Sequence, residues 1–271
     1  MAPPEHNSPP AHPISRPCRG RAVWRVVGVG LTLFGAFLIM VWRGCGRRPI
    51  TLPERAEWCA RTSRRLLRVL GVRVTVTGAR PASGCLVTNH LSYLDIMVLA
   101  SVRPVVFVSK AEVRRWPGIG YLVGLAGTLF IRRQSRLQVS AAVTRMQEAL
   151  DLGVVLAFFP EGTTTGGDRV LPFRASLLEA AVTGQLPVTP GCLRYELPGG
   201  SVPDEVCYWR DMTFFSHLAN LCRHREIRAH VTYGEPMAAS QDRKQLAHAL
   251  RQEVLRLGGF PPDAGGEVEN F

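Results

Sequence analysis

In the run Thr88-Asn89-His90-Leu91-Ser92-Tyr93-Leu94-Asp95 an imidazole follows a short apolar stretch, and a carboxylate stands five residues later where a helical pattern begins. Those residue types at that spacing are the parts of a general base and its orienter. The carboxylate accepts one ring N–H and fixes the tautomer, and the other ring nitrogen is left to take a proton from a hydroxyl. The chain has no Gly-x-Ser-x-Gly elbow and no cysteine beside this histidine, so the expected nucleophile is the substrate's own hydroxyl. A plainer reading stays open: Ser92-x-x-Asp95 also fits a capping box, in which Asp95 only opens a helix and His90 is a satisfied core histidine.

Three further stretches bear on the choice. Gly127-Thr128-Leu129-Phe130-Ile131-Arg132-Arg133 ends a strand on two guanidiniums. Strand alternation sends them to opposite faces, so one reaches a site and can grip a phosphate through paired hydrogen bonds; the alternative is a solvated strand end. Phe158-Phe159-Pro160-Glu161-Gly162-Thr163-Thr164-Thr165-Gly166-Gly167 follows the apolar run Val154-Val155-Leu156-Ala157. Proline, glutamate, glycine and hydroxyls at a strand's carboxyl end make a loop that can approach a polar headgroup closely. Glu161 then binds a substrate hydroxyl, pairs with an arginine, or merely caps a turn, and Arg169 and Arg174 are candidate auxiliary phosphate contacts. Leu186-Pro187-Val188-Thr189-Pro190 opens another strand.

The elements that must position these residues follow from the pattern after Gly71. Apolar or β-branched runs at 72–77, 84–88, 104–109, 127–132, 153–159, 187–195 and 226–233 alternate with helical stretches near 92–101, 137–151, 175–183 and 241–257. That alternation predicts an α/β fold, a twisted, mostly parallel sheet of about seven strands flanked by helices. Such sheets bind ligands beyond the carboxyl ends of their strands, where His90 and Glu161 fall.

Ahead of the domain at 71–258, residues 1–20 read as a disordered tail, 21–43 as a transmembrane anchor and 44–70 as a basic amphipathic segment; 259–271 reads as a flexible tail. Ala22 to Trp42 is apolar apart from Arg25, with Trp24 and Trp42 near its ends, which is the length and belt of a membrane helix. Arg43, Arg47 and Arg48 follow it in place of a small-residue cleavage site, so the anchor is expected to stay uncleaved. On a helix over 54–70, Arg61, Arg64, Arg65 and Arg68 share one face, with Cys59, Leu66, Leu67 and Leu70 opposite. That fits a surface helix packed on the domain as well as one lying on headgroups.

Net charge is +12, and the first 73 residues hold 13 arginines against three acids, while the remainder is nearly balanced. A nucleic-acid binder carries its basic footprint on the folded domain. Here the charge surrounds an apolar segment, which points to an anionic membrane surface and away from nucleic acid. Seven cysteines, an odd number with no C-x-x-C pair and no zinc spacing, predict reduced thiols and no metal site.

Together the four stretches resemble the glycerolipid acyltransferase family, specifically the membrane-bound 1-acyl-glycerol-3-phosphate acyltransferases. Asn89, His90 and Asp95 match its N-H-x-x-x-x-D motif; Gly127, Phe130, Ile131 and Arg133 match G-x-x-F-I-x-R. Phe159, Pro160, Glu161, Gly162 and Thr163 match the start of F-P-E-G-T-R-S, and Val188 and Pro190 match V-x-P. The resemblance implies that His90 is the base and Asp95 its partner. It also implies that Asn89, Phe130, Arg133, Glu161, Gly162 and Thr163 form the substrate-binding set. The donor it implies is an acyl-CoA or acyl carrier protein thioester, and no metal or bound cofactor is needed. The expected acceptor is the membrane lipid 1-acyl-sn-glycerol-3-phosphate, giving phosphatidic acid, with the domain on the cytoplasmic side of a bacterial inner membrane.

One position departs from the family. Thr164 stands where an arginine is usual, and a hydrogen bond to a charged group contributes about 1.5 to 3 kcal/mol. The threonine version is similar to members that act on other lyso-lipids, including lyso-ornithine lipid; Arg169 or Arg174 can also compensate. A hydrolase would need an activated serine or cysteine. A non-catalytic membrane-binding module would tolerate loss of His90 and Asp95.

Overall fold

The computed structural model describes residues 18–46, 48–115, 119–131, 136–239 and 242–261. Two helices come first, α1 (Arg19–Gly44) and α2 (Leu52–Leu70), followed by β1 (Val72–Thr77), β2 (Cys85–Thr88), α3 (Leu94–Val102) and β3 (Val105–Lys110). Next come α4 (Ile119–Leu125), β4 (Leu129–Ile131), α5 (Arg136–Asp151), β5 (Val155–Phe158) and α6 (Glu179–Thr183). The chain continues through β6 (Val188–Glu196), α7 (Val202–Glu205), α8 (Phe214–Leu221), β7 (Ile227–Tyr233) and α9 (Arg243–Gly258).

The sheet order is β1-β7-β6-β2-β5-β3-β4. Every pairing is parallel except β6 with β7. β2 and β5 lie side by side in the middle and are buried at every position, as strands covered on both faces must be. Towards the edge, β7 alternates, with Ile227, Ala229, Val231 and Tyr233 inward and Arg228, His230 and Thr232 partly exposed. One face is covered by α2, α3 and α8 through Leu66, Leu70, Leu94, Leu99 and Leu221. The other is covered by α5 and α9 through Met146, Ala149, Leu250 and Val254.

The expected strands are all present. The helix expected over 175–183 is instead a 3₁₀ turn at Ala175–Leu177 followed by α6, and α4, α7 and α8 were not foreseen. These three are 7, 4 and 8 residues long, too short for a 3.6-residue period to declare itself.

α2 starts on a capping box, in which Glu54 accepts from the Thr51 backbone N–H at 2.9 Å, and ends at Gly71, whose φ of +72° needs glycine. Cys59, Leu66, Leu67 and Leu70 are buried while Arg61, Arg65 and Arg68 are exposed, so α2 is a packed surface helix with the two faces expected. α1 lies along it. Trp58 Nε1 donates to the Ala36 carbonyl at 3.0 Å, Arg43 pairs with Glu54 at 2.6 Å, and at the other end Arg21 donates to the Arg223 carbonyl at 2.9 Å. Arg25, the one charge inside the apolar run, donates to the carbonyls of His224 and Arg225.

Candidate active site

Because β2 and β5 are parallel neighbours, the residues leaving their carboxyl ends emerge at one edge of the sheet. Three sets of bonds hold these loops. Asn89 Nδ2 donates to the Leu193 carbonyl on β6 at 2.9 Å, and Leu193 N–H donates back to Asn89 Oδ1 at 2.7 Å. The His90 N–H donates to Glu161 Oε1 at 2.7 Å, and the Leu171 N–H donates to Glu161 Oε2 at 2.8 Å. Thr165 N–H donates to the His90 carbonyl at 3.0 Å. The backbone of His90 is thereby fixed to the 159–171 loop from both sides.

The His90 ring is fixed as closely as its backbone. Nδ1 lies 2.8 Å from Asp95 Oδ2, and that oxygen also accepts the N–H groups of Leu91 at 2.6 Å and Ser92 at 2.9 Å. Asp95 Oδ1 accepts the Tyr195 hydroxyl at 2.7 Å. Burial, reinforced by the Asp95 carboxylate, raises the Tyr195 phenol well above its ordinary value and keeps it the donor. The Asp95 side chain is 0% exposed and that of His90 is 19% exposed. With donors addressing both carboxylate oxygens, Nδ1 carries the proton and Nε2 is the ring's acceptor; among the described residues nothing bonds to Nε2. The ring stacks on Phe159 at 3.9 Å between centroids, and Phe159 stacks on Phe107 of β3 at 6.2 Å. Asp95 reaches back to the Ser92 N–H while Ser92 Oγ has no described partner, so the reciprocal half of a capping box is missing, and the same carboxylate oxygen meets the His90 ring.

The substrate-binding set divides. Asn89 and Glu161 are buried, and both polar ends of each are engaged by backbone. Gly162, at φ +73°, turns the loop, and a side chain there would begin 3.0 Å from Arg174 Nε. Thr163 is exposed beside it. Thr164 donates its hydroxyl to the Tyr208 carbonyl at 2.6 Å, and the Tyr208 N–H donates to the Leu91 carbonyl at 2.8 Å, so the residue in the arginine's place fastens a strap across both loops. Phe130 lies on β4, the edge strand three spacings from β2, or about 14 Å at 4.8 Å per spacing; its ring sits beneath Arg114 at 6.0 Å. Arg133, with Arg132, lies outside the described residues. Arg169 and Arg174 are exposed.

Burial pushes Glu161 up from 4.5 to about 7, with the Leu171 and His90 N–H groups opposing the rise. A folded pKa above the unfolded one means that the folded chain binds more protons between the two values. This group's contribution is therefore fully present below pH 4.5 and is lost as pH rises through 7, about 3 kcal/mol in all. Denaturant titrations are expected to show the stability of wild type relative to Glu161→Gln falling by about that amount from pH 4.5 to 7.5; a difference independent of pH would show that this carboxyl does not titrate in that window.

Sequence reasoning missed Tyr195, Leu171 and the role of Phe159. Tyr195 stands a hundred residues from Asp95, and the only signal for it was its inward phase with Leu193 on β6.

Comparison with known proteins bears on this geometry. A family model described as acyltransferase matches residues 73–194. The lyso-ornithine lipid O-acyltransferase of Rhodobacter capsulatus is 38% identical over 246 residues, 87% of this chain and 87% of the relative. The 1-acyl-sn-glycerol-3-phosphate acyltransferase of Neisseria meningitidis serogroup B is 37% identical over 195 residues, 68% of this chain and 73% of the relative. The crystal structure of the 1-acyl-sn-glycerophosphate acyltransferase PlsC from Thermotoga maritima shares the fold, with a TM-score of 0.61 at 20% identity over 89% of this chain and 97% of that one.

Proposed function

The chain belongs to the glycerolipid acyltransferase family, and from that premise we propose that it moves a fatty acyl group from an acyl-CoA or acyl carrier protein thioester to the free hydroxyl of lyso-ornithine lipid. The observation that carries the reaction is the Nδ1 to Oδ2 bond at 2.8 Å, which presents Nε2 as acceptor beside the loop edge. The acceptor hydroxyl gives its proton to His90 Nε2 as its oxygen attacks the thioester carbonyl. The C–S bond then breaks, and the imidazolium, stabilised by Asp95, returns the proton to the leaving thiolate. At the carbonyl one bond, C–O, forms and one, C–S, breaks, the proton passes from the hydroxyl through Nε2 to the thiolate with no acyl-enzyme, and the route draws on no metal or bound cofactor.

Thr164 supports this acceptor. Its hydroxyl is spent on the Tyr208 carbonyl, so the place where the family motif usually has arginine offers no charge to a phosphate monoester. A second reading, 1-acyl-sn-glycerol-3-phosphate as acceptor, is favoured by Arg174, whose guanidinium lies against Gly162. Purified enzyme given one acyl donor and each acceptor separately is expected to show kcat/KM at least tenfold higher for lyso-ornithine lipid. The reverse preference would install the second reading.

The acceptor reaches the site from a membrane. α1 is 26 residues long, about 39 Å, and among the described residues it is the helix long and apolar enough to cross a bilayer. It is, however, bonded to the domain at both ends and in the middle. A perpendicular span would carry α2 along and set Arg61, Arg65 and Arg68 in hydrocarbon at about 3 kcal/mol each. In place of the spanning anchor expected from length, we read α1 as lying in the anionic cytoplasmic leaflet, outer face in lipid and inner face on α2.

A further inference from the structure

α8 is a short helix between β6 and β7 whose two ends meet very different surroundings. Its inner side is tied to the catalytic loop: the Tyr93 hydroxyl donates to His217 Nδ1 at 3.0 Å, and His217 Nε2 donates to the Cys207 carbonyl at 3.0 Å. Tyr93 sits between His90 and Asp95 in sequence, and its ring lies 5.1 Å from that of Phe214. Phe214 in turn lies 5.5 Å from Phe215. Phe215 is 82% exposed, a large apolar ring left in water that apolar surroundings would favour. Nothing in the mechanism uses it.

Two observations say what covers it. The carbonyls just after α8, at Arg223, His224 and Arg225, are the ones that Arg21 and Arg25 of α1 grip, and α8 packs on α1. Phe215 thus stands on a helix that packs against α1, the helix whose exposed apolar residues include Val23 and Trp24. Exposed Arg19 opens α1, and exposed Arg210 and Arg225 stand four residues before and after α8 in the chain, charge of the sign that an anionic bilayer complements.

We propose that α8 is a second membrane contact, carrying Phe215 into the acyl region of an anionic bilayer beside α1 and linking that bilayer, through Phe214 and Tyr93, to the loop of His90. The contact stands on this geometry alone; its consequence for turnover rests on the lipid-acceptor reading above. The test uses the full chain with Cys18 and Cys45, the two exposed thiols, replaced by serine, and Phe215→Cys labelled with an environment-sensitive nitrobenzoxadiazole. In vesicles of phosphatidylethanolamine and phosphatidylglycerol the label is expected to emit to the blue of its value in water and to lose more than half its intensity to lipids spin-labelled in the acyl chain. The same label at the exposed position Leu152→Cys should do neither. Water-like, unquenched emission at 215 in vesicle-bound protein overturns the proposal, and so does protection that appears in detergent without lipid and grows with protein concentration, which would mean a second copy of the chain. With the acceptor held in vesicles, Phe215→Asp is expected to raise the apparent KM about tenfold while leaving kcat on a short-chain, water-soluble acceptor unchanged; an unchanged KM would sever the link to turnover. If wild type accepts neither lyso-lipid, the function reading fails while the quenching still decides the contact.

Discussion

His90→Ala is expected to lower kcat/KM by about 10³-fold, the middle of the range for removing a general base, while the chain keeps its fold. The ring contributes no hydrogen bond to the loops: its backbone N–H goes to Glu161 and its carbonyl takes the Thr165 N–H, and both survive truncation. What alanine removes is the Nε2 acceptor, the Nδ1 bond to Asp95 Oδ2, whose oxygen keeps the Leu91 and Ser92 N–H groups, and the stack on Phe159. Unfolding midpoints within a few degrees of wild type, together with the loss of rate, separate a catalytic histidine from a core one. A variant with substantial transfer would take the imidazole out of the reaction.

The second large effect is at Asp95. Asparagine fits the site with little rearrangement. Its carbonyl can take the place of Oδ2 and accept from His90 Nδ1 and the Leu91 and Ser92 N–H groups, while its amide turns to Tyr195, whose hydroxyl accepts as well as donates. The fold should therefore persist. The charge that stabilises the imidazolium is gone, and kcat is expected to fall about 10² to 10³-fold with KM little changed, since orienting carboxylates act on the transition state. If Asp95 only opened α3, Asp95→Asn would keep its rate, so steady-state kinetics on this one variant tells the capping role from the catalytic one.

Much of this arrangement was legible in the sequence because local signals and the fold agreed. Seven apolar runs gave seven strands, and two of them, β2 and β5, are buried on both faces and carry His90 and Glu161 at their ends. The direction of side chains was less legible. Asn89 and Glu161 belong to motifs that touch ligand by resemblance, yet each faces inward to satisfy backbone groups that a loop at a strand end leaves unpaired. Tyr195 was hidden by distance along the chain, since only the pairing of β2 with β6 brings it to Asp95. Arg25 read as the one charge within an apolar run, and composition says nothing of the carbonyls after α8 that it and Arg21 bind. α8 itself is too short to show its period.

The central claim, direct attack by the acceptor hydroxyl with His90 as base, is met most squarely by mixing stoichiometric enzyme with an acyl thioester labelled in its acyl group, first alone and then with lyso-ornithine lipid, and following the label. The account predicts no label on the protein at any time, no burst of free thiol without acceptor, and label in the lipid once acceptor is added, with this last step lost in His90→Ala. A stoichiometric burst of thiol with the acyl group bound covalently to the chain would contradict it.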